Sequence, residues 1–346
     1  MHALKNVAIA ILNWNGIRFL KEFLPNVVTH SEKDADVYVI DNASSDESIA
    51  FIRQNFPQVK IIVLDKNYGF AGGYNKGLKH IENDFVVLLN SDVEVTENWI
   101  APVIQYMNES NIAACQPLIL DYHDRGKFEY AGAAGGYIDK DAYAFCAGRI
   151  FYAFDRQEGQ YIENEEVFWA SGAAMFIRKA AYDEVDGLDE DFFAHMEEID
   201  LCWRLKNRGY KIGACRKSTV YHYGGGTLSR MSAFKTYLNF RNNLFLILKN
   251  YRHGSVAWRL FRRLILDGIA GLRFVSEGNF SFCGAVLKAH FSFYKKFFVM
   301  LRKRKAEKGY DAQINLKGLY KKSIISAFFL HKKTHFHQLE KHSFVR

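Results

Sequence analysis

The first 120 residues predict an α/β fold built on a mainly parallel central sheet. Short apolar runs alternate there with amphipathic stretches of helical length, and a polar cluster follows each of the first four runs. Buried strands alternating with helices form βαβ units, whose ligands gather outside the carboxyl ends of the strands.

The strand-like runs cover residues 7–12, 37–40, 59–64 and 85–89, with a weaker fifth at 112–116. Helical stretches are expected between them at 16–29, 46–55, 69–81 and 97–107. A chain of 346 residues with 49% hydrophobic content can bury one substantial core. Four prolines and no internal repeat argue against a linker-rich or solenoid protein. Five scattered cysteines without a CxxC pair suggest neither a zinc knuckle nor a disulfide framework, and a reducing compartment is expected. The run at 7–12 lacks the basic region, longer apolar core and cleavage site of a secretion signal, so neither such a signal nor a transmembrane helix is expected.

Charge divides the chain unevenly. Lys and Arg outnumber Asp and Glu by 16 from Lys249 onward, which leaves a balance of −8 for the residues before it. Two regions are therefore expected: an acidic α/β domain over 1–248 and a basic, aromatic-rich helical region over 249–346.

The polar clusters carry the chemistry. Asn13, Trp14 and Asn15 follow the first run, and Asp41 to Asp46 the second. Asp41 is placed to accept a hydrogen bond from the N–H of a pyrimidine base, while Ser45 or Asp46 caps the next helix. In Asn67-Tyr68-Gly69-Phe70-Ala71-Gly72-Gly73-Tyr74-Asn75-Lys76-Gly77, the glycines either admit an anion at a helix N-terminus or pack the helix on the sheet. The pattern is neither GxGxxG nor a P-loop. In Asn90-Ser91-Asp92, Asp92 either holds a divalent cation shared with substrate phosphates or caps the following helix.

Downstream, Glu197, Glu198 and Asp200 crowd the start of an amphipathic helix. The i,i+4 spacing of Asp200 and Arg204 accounts for a surface ion pair. Glu197 and Glu198, beside His195, offer a general base for a sugar hydroxyl. His222 ends a strand before the loop Gly224-Gly225-Gly226-Thr227, as a ligand or as a structural histidine.

In this order, AIAILNWNG, DNASSDES, NYGFAGGYNKG, LLNSDVEV, the segment from Trp169 to Tyr210, and VYHYGGGT resemble the family 2 glycosyltransferases of the GT-A fold, in particular their bacterial rhamnosyltransferase-like branch. The resemblance covers roughly residues 5 to 230. It implies that Asp41 contacts the nucleobase, and that Asn13, Asn67, Gly69, Asn75, Asn90 and Ser91 complete the donor side. Asn90-Ser91-Asp92 stands where the family has its DxD motif, so Asp92 would bind Mn2+ or Mg2+, with Asn90 replacing the first carboxylate. His222 matches a histidine that completes the metal site in some members. Glu198 takes the general-base position, with Glu197 as a substitute, and Trp169, Ser171, Gly172 and Asp200 border the acceptor.

The activity implied is an inverting transfer from a nucleotide-sugar donor, dTDP-rhamnose or a UDP-hexose, to a saccharide or polyprenol-linked oligosaccharide. The tail segments 257–275 and 285–301 mix apolar residues with Arg262-Arg263, Lys295-Lys296 and Arg302-Lys303-Arg304-Lys305. Such helices lie in the interface of an anionic membrane, or else pack on the catalytic domain with a solvated basic face. The expected location is cytoplasmic, peripheral at the inner face of a bacterial cytoplasmic membrane. No nucleic-acid-binding motif accompanies the charge. Two rivals are a sugar nucleotidyltransferase, which lacks its basic glycine-rich loop here, and a non-catalytic membrane adaptor.

Overall fold

The computed structural model describes residues 6–224, 232–307 and 314–345. Its first half follows the apolar runs: β1 (Val7–Asn13), α1 (Ile17–Ser31), β2 (Ala35–Asp41), α2 (Ser48–Asn55), β3 (Lys60–Val63), α3 (Gly69–Gly77) and β4 (Phe85–Leu89). The strands β3-β2-β1-β4 lie parallel in that order. β1 and β4 are almost wholly buried because helices cover both sheet faces, which is why they read as unbroken apolar runs.

Beyond β4 the sheet becomes mixed. A short β5 (Val93–Val95) and α4 (Ala101–Ser110) lead to β6 (Ile112–Asp121). The expected helix at 97–107 starts later, with a proline in its first turn, where a missing N–H costs nothing. β11 (Glu165–Val167), β12 (Ala174–Arg178) and β13 (Lys211–His222) complete the order β11-β13-β6-β12-β4-β1-β2-β3, with β5 beside β13. Two buried apolar clusters fill the sheet's faces.

A second sheet follows β6. It comprises β7 (Gly136–Asp139), β8 (Ala144–Cys146), β9 (Arg149–Ile150), β10 (Ala153–Phe154) and, from the far end of the chain, β14 (Leu319–Tyr320), parallel to β7. Close packing permits it: a Cβ on Gly136 would lie 2.2 Å from the Trp169 indole. After α5 (Lys179–Glu184) and α6 (Glu197–Asn207), the helices α7 (Ala233–Asn250), α8 (Val256–Ser276) and α9 (Phe280–Ala306) pack together, with α7 against α6 and the turn at Glu190–Phe192. The composition boundary at 248/249 falls inside the last turn of α7, where Lys249 and Asn250 are buried, so no linker marks it. All five cysteines are unpaired, four of them buried.

Candidate active site

The parallel half builds the first wall. Register sets Asn13 beside Asp41 at the sheet edge, so both side chains leave the strands together. Asn13 Nδ2 donates to Asp41 Oδ1 (3.2 Å) and Ser44 Oγ (3.1 Å), and Asp41 Oδ2 accepts the Ser44 N–H at 3.0 Å. Asn15 and Ala43 adopt positive φ, and Asn15 locks onto the Ser44 hydroxyl and the Ser45 N–H. Asp46 serves two helices, accepting the N–H groups of Ile17 and Ser48. Burial opposes its ionisation, but these bonds hold its pKa below the usual value. Asp41 is only 1% exposed, so the ligand edge of this wall is formed largely by the loop it braces.

At the start of α3, Asn67 Oδ1 accepts the Gly69 N–H (2.8 Å) while Gly69 takes a φ of +70°. Behind both stands Asn42, buried, which donates to Asn67 Oδ1 and the Gly69 carbonyl and accepts the Tyr68 N–H. The later glycines serve packing: a Cβ on Gly77 would sit 2.3 Å from Ile40. Asn75, expected on the donor side, points elsewhere. Its amide binds the Tyr182 hydroxyl and both backbone groups of Leu188, tying α3 to the turn before the acceptor loop.

Asp92 does not cap a helix, because β5 follows it directly. β5 pairs with β13 in a register that sets Val93 opposite His222. His222 Nε2 therefore lies 3.2 Å from Asp92 Oδ1 and 3.4 Å from Asn90 Nδ2, with Ser91 half-buried between them in sequence. On its other side, Nδ1 lies 3.2 Å from Glu129 Oε2, close enough for charge pairing though not aligned as a hydrogen bond. Burial alone would lower the His222 pKa, but Glu129 and Asp92 raise it to about 10. His222 in turn draws the Glu129 carboxyl below its usual range against the effect of burial. Gly225, Gly226 and Thr227 lie outside the described residues.

Among the described residues no three His, Cys, Asp or Glu side chains form a self-sufficient metal cage. Asp92 and His222 instead supply one carboxylate and one imidazole. That pair fits a divalent ion whose other positions are filled by substrate phosphates and water. Bound there, the ion would replace the proton His222 carries.

The second wall meets the first at Gly172-Ala173. The Ala173 carbonyl accepts the Asn90 N–H at 3.0 Å, and a Cβ on Gly172 would lie 3.6 Å from Glu198 Cβ. Ser171 anchors this bridge, its N–H donating to Gln116 Oε1 at 2.9 Å. Trp169, expected at the acceptor, is buried instead, with its indole N–H donating to the Tyr137 carbonyl.

Glu198 is half-buried and Glu197 fully so, each with an Oε2 that has no hydrogen-bond partner among the described residues. Burial pushes the Glu198 carboxyl to about 7, while burial and the neighbouring Glu198 hold Glu197 well above its usual value. A carboxylate that titrates near neutrality suits a general base. Phe193, His195 and Met196, just ahead of α6, all have positive φ, a costly conformation for residues with side chains. Asn242 of α7 braces this loop: its Nδ2 donates to the carbonyls of Phe192, Ala194 and His195, its Oδ1 accepts from Arg241 Nε, and Arg241 in turn binds the carbonyls of Asp191 and Phe192.

Asp200 departs from expectation. It is fully buried, its oxygens taken by Arg204 Nε (2.8 Å), Lys249 Nζ (2.9 Å) and Asn250 Nδ2 (2.7 Å). The pair with Arg204 is therefore internal rather than superficial, and Asp200 offers nothing to an acceptor. An open cavity of about 400 Å3 does lie beside the loop, lined by Asp191, Phe193, Phe234, Tyr237, Arg241 and Lys296 among others.

Sequence reasoning placed Asn42 in the cluster after the second run but gave it no role, and it missed Gln116, Glu129 and Asn242. Each of these three is a single polar residue, distant in sequence from the groups it holds, and no spacing announces it.

The chain is 25% identical over 246 residues to the low-salt glycan biosynthesis hexosyltransferase Agl10 of Haloferax volcanii, covering 69% of this chain and 74% of that protein. It is 25% identical over 270 residues to the N-acetylglucosaminyl-diphospho-decaprenol L-rhamnosyltransferase of Mycobacterium tuberculosis, covering 73% and 87%. Among solved structures, the mannosyltransferase PcManGT from Pyrobaculum calidifontis, in complex with GDP-Man and Mn2+, matches with a TM-score of 0.54 at 11% identity, over 85% of this chain and 88% of that one. GalNAc-T7 with UDP, GalNAc and Mn2+ matches with a TM-score of 0.54 at 17% identity, over 72% of this chain. This chain spans 48% of the GalNAc-T7 chain. These likenesses establish the GT-A fold. The family model for glycosyl transferase family 2 matches residues 8–186, and the chain belongs to that family.

Proposed function

We infer that this protein transfers a hexosyl residue, with inversion, from a nucleoside-diphosphate donor to a lipid-linked saccharide. The observation that carries this reading is the junction at Gly172-Ala173, which joins Asn90 and the Asp92–His222 pair to Glu198. This supports a reading in which the diphosphate would sit at Asp92 and His222 and a base near neutral pKa would act from the other side of Gly172-Ala173. The L-rhamnosyltransferase relative, named for a diphospho-decaprenol acceptor, supports a lipid-linked acceptor here, with dTDP-rhamnose or a UDP-hexose as donor.

Asn13, Asp41 and the 42–45 loop would seat the base and ribose. Asp92 and His222 would hold Mn2+ or Mg2+, which neutralises the diphosphate when bound. Glu198 takes the proton of the acceptor hydroxyl as its oxygen bonds to the anomeric carbon. The bond from that carbon to the diphosphate oxygen breaks, and the nucleoside diphosphate leaves with the electron pair. One displacement inverts the anomeric centre, and burial with the neighbouring Glu198 disfavours charge on Glu197. A lipid-linked acceptor would bring the reaction to a membrane surface, which this reading takes to be the cytoplasmic face.

The test is release of nucleoside diphosphate from a panel of nucleotide sugars with Mn2+, Mg2+ or EDTA. EDTA-sensitive release from one donor, lost in Asp92→Ala, is expected. Pyrophosphate as product would replace this reading with a nucleotidyltransferase, and absence of any donor binding would leave a non-catalytic adaptor.

A further inference from the structure

α8 and α9 leave large apolar side chains facing solvent on one side each. On α8 these are Trp258, Phe261, Ile265, Ile269 and Leu272, between 49% and 72% exposed. On α9 they are Leu287, Phe291, Tyr294 and Phe298, between 55% and 77% exposed. Steps of three and four residues put each set on a single helix face. The opposite faces are already used. α8 buries Arg263, Asp267 and Gly271, with Arg263 paired to Asp267, while Arg259 and Arg262 reach from its flanks to Asp141; α9 buries Ala285, Ala289, Phe293 and Met300. The helices touch closely, a Cβ on Gly271 of α8 falling 3.9 Å from Cys283 of α9.

Apolar exposure on this scale marks an interaction surface. Charge selects the occupant. Lys288, Lys295, Arg302 and Lys305 lie along the exposed side of α9, and among the described residues none forms an ion pair. The core of a protein–protein interface is depleted of charge. A second copy packed by two-fold symmetry would set this cationic face against itself. A sheet of anionic phosphates above acyl chains complements both components. No helix among the described residues is long and apolar enough to cross a membrane, so these helices would lie in its plane.

We propose that the outer faces of α8 and α9 form a platform that docks in the interface of an anionic bilayer. The apolar stripes enter among the acyl chains, and Lys288, Lys295, Arg302 and Lys305 sit among the phosphates. α9 also sends Lys296 and Lys303 to Asp191 and Asp189, just ahead of the loop that carries Glu198. The platform therefore orients the acceptor side toward lipid, a purpose that rests on the lipid-linked acceptor proposed above, although the docking itself does not.

The test is co-sedimentation of the full chain with phosphatidylcholine vesicles, with and without phosphatidylglycerol, alongside Trp258 quenching by brominated lipid. The wild type is expected to bind the anionic vesicles with quenching. Phe291→Glu with Phe298→Glu, folding checked by circular dichroism, is expected to lower partitioning by about tenfold or more. Ile269→Lys with Leu272→Lys provides an independent second pair should the first fail to fold. Lys288→Gln with Lys295→Gln is expected to remove much of the preference for anionic lipid and its salt sensitivity. Wild-type protein left in the supernatant, or stripe variants that bind like wild type, overturns the proposal. So does a wild-type dimer, free of vesicles, that Phe291→Glu converts to monomer. Donor turnover in solution is measured on the same samples: vesicle binding lost in the stripe variants without any donor turnover would sustain the platform and remove the transferase reading.

Discussion

The side-chain amide of Asn242 donates to the carbonyl of His195 at 2.7 Å, so a helix 47 residues downstream holds the loop that aims Glu198. The same amide reaches Phe192 and Ala194, so one buried residue supports a run that contains three positive-φ side chains. Asn242→Ala removes the side-chain donor from the Ala194 and His195 carbonyls, while Arg241 still holds that of Phe192, and is expected to cost roughly 1–3 kcal/mol of stability. It should also lower the transfer rate by about tenfold or more while donor affinity, read by calorimetry, stays unchanged.

The transfer rate should follow the ionisation of Glu198. Its folded pKa of about 7 makes the base form dominant only above neutrality. Below that value the rate is expected to fall by about tenfold per pH unit, and Glu198→Gln should cost roughly 10²–10⁴ in rate and flatten the profile. Because the folded value exceeds the ordinary 4.5, the unfolded chain releases this proton first, and stability declines as pH climbs from 4.5 to about 7. A stopped assay across pH and a melting series in the same buffers check both slopes.

Glu129, buried, meets His222 at Nδ1, the ring nitrogen that does not face Asp92. Glu129→Gln is expected to weaken Mn2+ binding by about 10–100-fold, the usual effect of removing a group that orients a metal ligand. Calorimetric titration of Mn2+ into the variant, with nucleoside diphosphate present, measures this without turnover.

The buried cluster around Asp200 belongs to stability. Lys249→Met strips one cation from both Asp189 and Asp200 and should cost roughly 3–5 kcal/mol. Asp200→Asn is expected to lower the melting temperature, with no selective rise in acceptor KM among molecules that remain folded. A selective rise would return Asp200 to the acceptor site.

The parallel half of the fold was legible because β1, β2 and β4 are buried on both faces, so hydrophobicity alone outlines them. The polar residues after each strand pointed to the ligand edge for the same reason: register delivers Asn13 and Asp41 there together. The sheet from β7 to β10 was illegible, since strands of two to four residues leave no period to detect. Asp200 shows the limit of local spacing. Its partner at i+4 was visible, but Lys249 and Asn250, which make the pair internal, arrive from another helix. Asn75 was misplaced likewise, because Tyr182 and Leu188 claim its amide from more than a hundred residues away.

The pairing of β14 with β7 bears on how the chain is made. Residues 138–139 wait for residues 319–320 before their sheet is complete. On a ribosome, the strands β1 to β4 emerge with their partners close behind and can fold early, whereas the sheet that starts at β7 stays open until residues 319–320 have emerged. Until then the β7 edge is unpaired and in need of chaperone protection, and a chain stopped before residue 319 would leave that sheet unfinished beside a folded parallel half.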